Sequence, residues 1–310
     1  MTWSIARGIP ILLSAMLAAA SNSGAADSFR DCAVCPEMRT IPAGKTMLGA
    51  AHHEEVAEKV PTEWRGFARQ RVIEIKAIAV SIYPVTVHQF AAFAAESERN
   101  FAGCVELRNG NWHFVPTAAW NAVNFPQNQD HPVVCVNFDD ALAYAEWLSK
   151  RTGQKYRLLT EDEWEHAARA GSTTRRYWGD DSLHSEQCRF ANGADLTFLE
   201  AQGTNSIFPS FNEIPTRCHD EYVHTSPVGH FQPNAFGLHD MIGNVMEWTS
   251  SCFSRGDEDL AHAIDRSCGT RVLKGGSWAD PPWSLRAADR YRDIRENRCM
   301  GVGFRVAREL

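Results

Sequence analysis

The side chains best equipped for chemistry follow a glycine pair near the C-terminus, in G-G-S-W-A-D-P-P-W-S-L-R at Gly275–Arg286. Ser277, Trp278, Asp280, Trp283, Arg286 and Arg290 make a polar, aromatic set. Trp faces and Arg forks suit an extended peptide or an anionic aromatic ligand, which assigns Trp278, Trp283, Arg286 and Arg290 to substrate binding. Asp280 becomes a general base if desolvation raises its pKa, and Ser277 is the second catalytic candidate. The competing reading gives Arg286, Arg290, Arg292 and Arg305 to internal ion pairs that fasten a loop-rich body. His52 and His53 are adjacent and point apart, so they read as a solvated loop rather than as metal ligands.

Cysteine is the next chemical signal. The first residues look like a secretory signal, with Arg7 in the n-region, an apolar run at Ile11–Ala20 and small residues at Gly24-Ala25-Ala26. Cleavage after Ala26 leaves a chain starting at Asp27, exported to the periplasm or secreted. In an oxidising compartment nine cysteines read as disulfides plus one thiol. Sequence order pairs Cys32 with Cys35, Cys104 with Cys135, Cys188 with Cys218 and Cys252 with Cys268, leaving Cys299. Spacing does not fix connectivity, and other pairings stay open. The C-x-x-C at Cys32 reads as a staple, a redox dithiol being the alternative.

Composition narrows the partners. Thirty-eight acidic against thirty-one basic residues give a net charge of −7, which argues against nucleic acid. After signal cleavage no apolar run is long enough to span a membrane.

These side chains need a frame. Val72–Ile75 and Ile78–Ile82 have the β-branched content of strands. Thr86-x-x-Gln89 opens a helix through Phe90 and Phe93. Asn137 caps a second helix, with Phe138, Ala141, Ala145 and Leu148 at helical spacing and Gly153 as its stop. Thr160-x-x-Glu163 starts a third, through Trp164 and Ala168 until Gly171. Beyond Gly171 turn chemistry dominates and no long helix is expected. Ten tryptophans and twenty-one glycines agree with a loop-rich α+β body. The expected organisation is a signal peptide at 1–26, a C-x-x-C segment at 27–40 and a single large domain at 41–310.

An ordered series of phrases then carries a resemblance. I-P-A-G at Ile41, Y-P-V-T at Tyr83, H-P-V-V-C-V at His131 and R-L-L-T-E-D-E-W-E-H-A-A-R at Arg157 are followed by G-N-V-M-E-W at Gly243, R-V-L-K-G-G-S-W at Arg271 and G-F-R-V-A at Gly303. Together they resemble the formylglycine-generating enzyme, or sulfatase-modifying-factor, family from about Pro36 to Leu310. The resemblance implies a variant of the C-type lectin fold. It also implies structural calcium, on Asn192, Gly193, Asp220 and Tyr222 at one position and on Asp240, Gly243, Val245 and Glu247 at another, since loop carbonyls and carboxylates suit a hard cation.

One departure from the family pattern decides the chemistry. The family's two copper-binding cysteines fall here on Asp280 and Leu285, and no cysteine lies between Cys268 and Cys299. Cuprous copper needs soft thiolates, so no copper is expected and formylglycine formation on sulfatases is disfavoured. In export signal, length and loss of that pair the chain is similar to the family's periplasmic pyoverdine-maturation oxidase. The resemblance therefore implies an exported oxidoreductase of a peptide or peptide-derived substrate, working without the cysteine pair and with no redox cofactor assigned. The alternative is a non-catalytic, calcium-braced binding module on the same scaffold.

Overall fold

The computed structural model describes residues 28–181, 183–202, 216–254 and 268–310, so the signal-like segment at 1–26 lies outside the described residues. Strands and helices are numbered in chain order. One sheet runs β1 (Ser28–Phe29), β2 (Met38–Ile41), β5 (Ile78–Ser81), β13 (Val306–Arg308), β8 (Tyr156–Leu158), antiparallel throughout. A second runs β11 (Tyr291–Ile294), β10 (Thr270–Lys274), β9 (Met246–Cys252), β12 (Val302–Gly303), its last pair parallel. Two ribbons complete the strands: β3 (Gly44–Leu48) with β4 (Arg71–Ile75), and β6 (Cys104–Arg108) with β7 (Asn111–Val115). Within the segment at 27–40, β1 and most of β2 are strands of the first sheet.

Helices α1 (His52–Ala57), α2 (Val87–Ala95), α3 (Phe138–Thr152), α4 (Glu161–Arg169), α5 (Gln187–Phe190) and α6 (Leu196–Gln202) occupy the rest. All three expected starts carry full capping boxes, at Thr86/Gln89, Asn137/Asp140 and Thr160/Glu163, in which side chain and backbone satisfy each other's free donors. Gly153 ends α3 in the left-handed region, as expected. For α4 the left-handed cap falls on Ala170 (φ 47), one residue ahead of the expected glycine stop. The α1 helix reads H-H-E-E-V-A with no apolar stripe; ion pairs made by Glu54 and the neighbouring Glu58 hold it in place. The hairpin β6–β7 turns on Asn109-Gly110, both at positive φ (50° and 73°), the pattern of a two-residue hairpin turn.

Among the described residues three large apolar clusters, and a small one of Ala50, Ala68 and Ala288, form the core. The first joins α2 and α3 to the sheets through Phe90, Tyr144, Leu148, Trp248 and Phe304. The second packs Trp164, Ala167 and Ala168 of α4 against Ile41, Val80, Met241 and Leu285. The third places Trp278 among Phe125, Phe198 and Met300. Disulfides join Cys32–Cys35, Cys104–Cys135, Cys188–Cys218 and Cys252–Cys268, the pairing that sequence order gives, and Cys299 is a free, half-buried thiol. Desolvation pushes that thiol up to about 12, so at neutral pH it is not a nucleophile.

Candidate functional site

Strand β10 delivers the chain to Gly275 and Gly276, and the geometry there needs glycine. Gly276 has φ +71°, and a Cβ on it would lie 2.6 Å from Leu285 Cδ2. The turn after it folds Asp280 back onto Ser277. Ser277 donates to Asp280 Oδ2 twice, from its backbone N–H at 2.8 Å and from Oγ at 2.5 Å, and Asp280 N–H donates to Ser277 O at 3.0 Å. Burial pushes the Asp280 carboxyl up to about 6 from its ordinary 3.8, against the downward pull of the two Ser277 bonds. Leu285 is fully buried in the second cluster.

The loop carrying these residues is held from elsewhere in the chain. Arg286 donates to Glu54 Oε1 at 2.9 Å and to Asp289 Oδ1 at 3.2 Å. Arg290 pairs with Glu161 and donates to Phe67 O at 2.6 Å. Arg176 donates to Pro282 O at 2.6 Å while paired with Glu58 at 2.8 Å. Trp278 is fully buried against His224 (ring centroids 4.7 Å), with its Nε1 donating to Met300 O. Of the four side chains expected to bind substrate, Trp278, Arg286 and Arg290 therefore spend their contacts internally, and Trp283 alone is half-exposed. Arg305 is likewise buried and ion-paired, with Glu247 at 2.8 Å.

Two aromatic residues with no local signal join this face. Tyr291 stacks on Trp64 at 5.3 Å and 19°, and it is 38 % exposed. Burial and the nearby charges of Asp280 and Asp293 push its hydroxyl up to about 12. Trp64 and Tyr291 are 227 positions apart, so no periodicity could pair them. His52 and His53 are exposed on α1, and among the described residues no group of three or more His, Cys, Asp or Glu side chains is placed to hold a metal ion.

The two implied calcium positions differ. At the first, Asn192 Nδ2 donates to His224 O at 2.8 Å, and Asp220 Oδ1 accepts from Tyr222 N–H at 2.8 Å. Among the described residues Asn192 Oδ1 and Asp220 Oδ2 are buried and have no hydrogen-bond partner. The Asp220 carboxyl also lies against that of Asp195, a residue the motif series did not point to; burial and that charge push it up to about 8. Buried oxygens without donors beside a carboxylate pair fit a hard cation. Asn192, Gly193, Asp220 and Tyr222 would hold it, supplying charge neutralisation rather than catalysis.

The second position does not fit. Both Glu247 oxygens lie 2.8 Å from Arg305 Nε, and Trp164 Nε1 donates to Oε2 at 2.6 Å. Asp240 Oδ2 accepts from Gly229 N–H at 2.7 Å, and the Gly243 carbonyl accepts from Val245 N–H at 2.9 Å.

A mixed α+β, loop-rich single domain with this G-G-S turn and paired loop carboxylates is the sulfatase-modifying-factor variant of the C-type lectin fold. Residues 24–310 match the sulfatase-modifying factor enzyme 1-like domain, and the chain belongs to that family. It is 32% identical to the formylglycine-generating enzyme of Mycobacterium tuberculosis over 87% of this chain and 96% of that protein. It is 29% identical to the inactive C-alpha-formylglycine-generating enzyme 2 of Mus musculus, over 88% of this chain and 85% of that one. Among solved structures it is similar to PvdO from Pseudomonas aeruginosa, with a TM-score of 0.70 and 30% identity over 92% of this chain and 98% of PvdO.

Proposed function

We propose that this protein is an exported oxidoreductase of the family, acting on a peptide or peptide-derived substrate with Asp280 as general base and without a cysteine pair. The carrying observation is the Ser277–Asp280 contact: a carboxyl pushed up to about 6 stands where the resemblance places a thiol. A base with that pKa is half-ionised just below neutral pH and accepts a proton efficiently. In a two-electron oxidation Asp280 would take one substrate proton, while two electrons and a second proton reach dioxygen and, with the first proton, give hydrogen peroxide. Ser277 would hold the carboxylate in line. Half-exposed Trp283 and the Tyr291–Trp64 stack supply aromatic surface for the substrate.

Export is supported by the signal-like N-terminus and by the four disulfides. Among the described residues no helix is long and apolar enough to cross a membrane. Calcium is assigned a bracing role at the Asn192–Asp220 position.

The test is dioxygen uptake with a peptide library, read together with a loss of two hydrogens in the product mass. Turnover that disappears in Asp280→Asn supports the reading; turnover unchanged in that variant sinks the role given to Asp280.

A second reading has its own support. The inactive mouse relative spans most of the chain, and three of the four expected ligand side chains are committed internally. A non-catalytic binding module would bind peptide saturably without turnover, with binding weakened in Trp283→Ala. Formylglycine formation on sulfatases is the least supported, because Asp280 and Leu285 offer no thiol.

A further inference from the structure

We infer that this protein takes up calcium at only one of the two positions implied by its family, and that the Arg305 guanidinium is the built-in cation of the other. This rests on the proposed bracing role of calcium and concerns where the ion goes.

Arg305 is fully buried, and each of its nitrogens is engaged by oxygen. Nε faces both Glu247 oxygens at 2.8 Å. Nη1 donates to Ser81 O at 3.0 Å and Ile82 O at 3.4 Å. Nη2 donates to His239 O at 2.8 Å and Asp240 O at 3.2 Å. One carboxylate and four backbone carbonyls thus surround a single fixed positive charge. That is the ligand inventory of a hard-cation site, used by a planar organic cation.

The consequence for a second ion is direct. Glu247, the glutamate of the implied quartet, has Arg305 on one side and the Trp164 N–H on Oε2. A divalent ion brought to it would displace those donors and sit beside a charge that cannot be deprotonated. What remains is Asp240 Oδ1, on a carboxyl that already lies in the field of the Arg305 guanidinium.

The first position has the opposite character. Among the described residues Asn192 Oδ1 and Asp220 Oδ2 are buried without donors, and the carboxylate of Asp195 beside them accepts from Phe198 N–H, Thr197 Oγ1 and Asp220 N–H. The backbone there is cross-braced, since Asp220 N–H donates to Asp195 Oδ2 at 2.6 Å and the Cys188–Cys218 disulfide adjoins it. No ion pair to Asp195 or Asp220 occurs among the described residues. The two positions divide the labour: one is closed by protein, the other is left for the ion.

The test counts calcium. Protein stripped with EDTA is titrated with calcium chloride by calorimetry, and desalted, calcium-loaded protein is analysed for bound metal. One equivalent per chain is expected, lost in Asp220→Asn and retained in Asp240→Asn. Two equivalents would overturn the inference while leaving calcium bracing intact, as would a single equivalent lost in Asp240→Asn and kept in Asp220→Asn. No binding at millimolar calcium would overturn both. The count on the unaltered protein decides between one, two and none even if a variant does not fold.

Discussion

Ser277 and Asp280 form a closed pair: hydroxyl and backbone N–H of the serine both reach one carboxylate oxygen, at 2.5 and 2.8 Å. The pair is local in sequence, yet its chemistry comes from burial, which holds the carboxyl near 6 rather than 3.8. Ionising Asp280 therefore opposes folding. The folded state binds the proton more tightly, so this group's contribution to stability falls as pH rises from about 4 through about 6. The distance between the two values corresponds to at most about 3 kcal/mol. Asp280→Asn is expected to melt higher than the unaltered protein at pH 8 and to lose that advantage at pH 4. Parallel melting curves across pH 4–8 would show that the carboxyl is not desolvated.

Ser277→Ala removes one of the donors that pull Asp280 down. The acid limb of any pH–rate profile is then expected to move to higher pH by roughly one unit, the equivalent of a hydrogen bond to a charged group. A profile that keeps its midpoint while losing amplitude would instead make Ser277 a substrate contact.

Leu285 and Gly193 are matched in shape. A Cβ on Gly193 would lie 2.2 Å from Leu285 Cδ1. Gly193→Ala is expected to cost about 1–3 kcal/mol by overpacking, and Leu285→Ala about 2–5 kcal/mol by leaving a cavity. Together they should cost less than the sum, because each relieves the other. Denaturant unfolding of the four proteins measures this coupling, and strict additivity would mean the two side chains do not share space.

Glu58 gives an acid-sensitive latch. Its pairing with Arg176 and Arg175, against the penalty of burial, holds it at about 2 instead of 4.5. A depressed carboxyl stabilises above its unfolded value and loses that contribution as pH falls from about 4.5 through about 2. Glu58→Gln should therefore cost about 3 kcal/mol at pH 6 and almost nothing near pH 2. Chemical denaturation at the two pH values checks it, and a constant difference would refute the ionic origin.

The Cys104–Cys135 bridge ties hairpin β6–β7 to the third core cluster across 31 positions. Replacing both cysteines by Ala is expected to cost about 3–4 kcal/mol through the freed unfolded chain. Reversible unfolding in urea measures the loss.

Local signals make part of this structure legible from sequence. Capping boxes read correctly because donor and acceptor lie three residues apart, as at Asn137 and Asp140. Strand β9 does not, since Met246–Cys252 is buried on every residue and shows no alternation. Helix α1 lacks an apolar stripe, its anchors being arginines far along the chain. The Asn109-Gly110 turn carries a readable hairpin signal that the strand and helix patterns passed over. At the site, Asp280 and Ser277 stand out by position, whereas Tyr291, Trp64 and Asp195 owe their places to contacts no spacing encodes. The internal engagement of Arg286 and Arg290 agrees with the competing ion-pair reading, because Glu54 of α1 and Asp289 pair with the first and Glu161 of α4 with the second.

Those partners also set the timing of folding. Glu54 meets Arg286 across 232 positions and Phe67 meets Arg290 across 223, so the loop around Asp280 has no frame until both ends of the chain are present. Loop closure over such distances is slow relative to helix formation, which places this loop among the last parts of the molecule to assemble. A nascent chain still lacking its final thirty residues carries Ser277 and Asp280 but none of Trp283, Arg286 and Arg290.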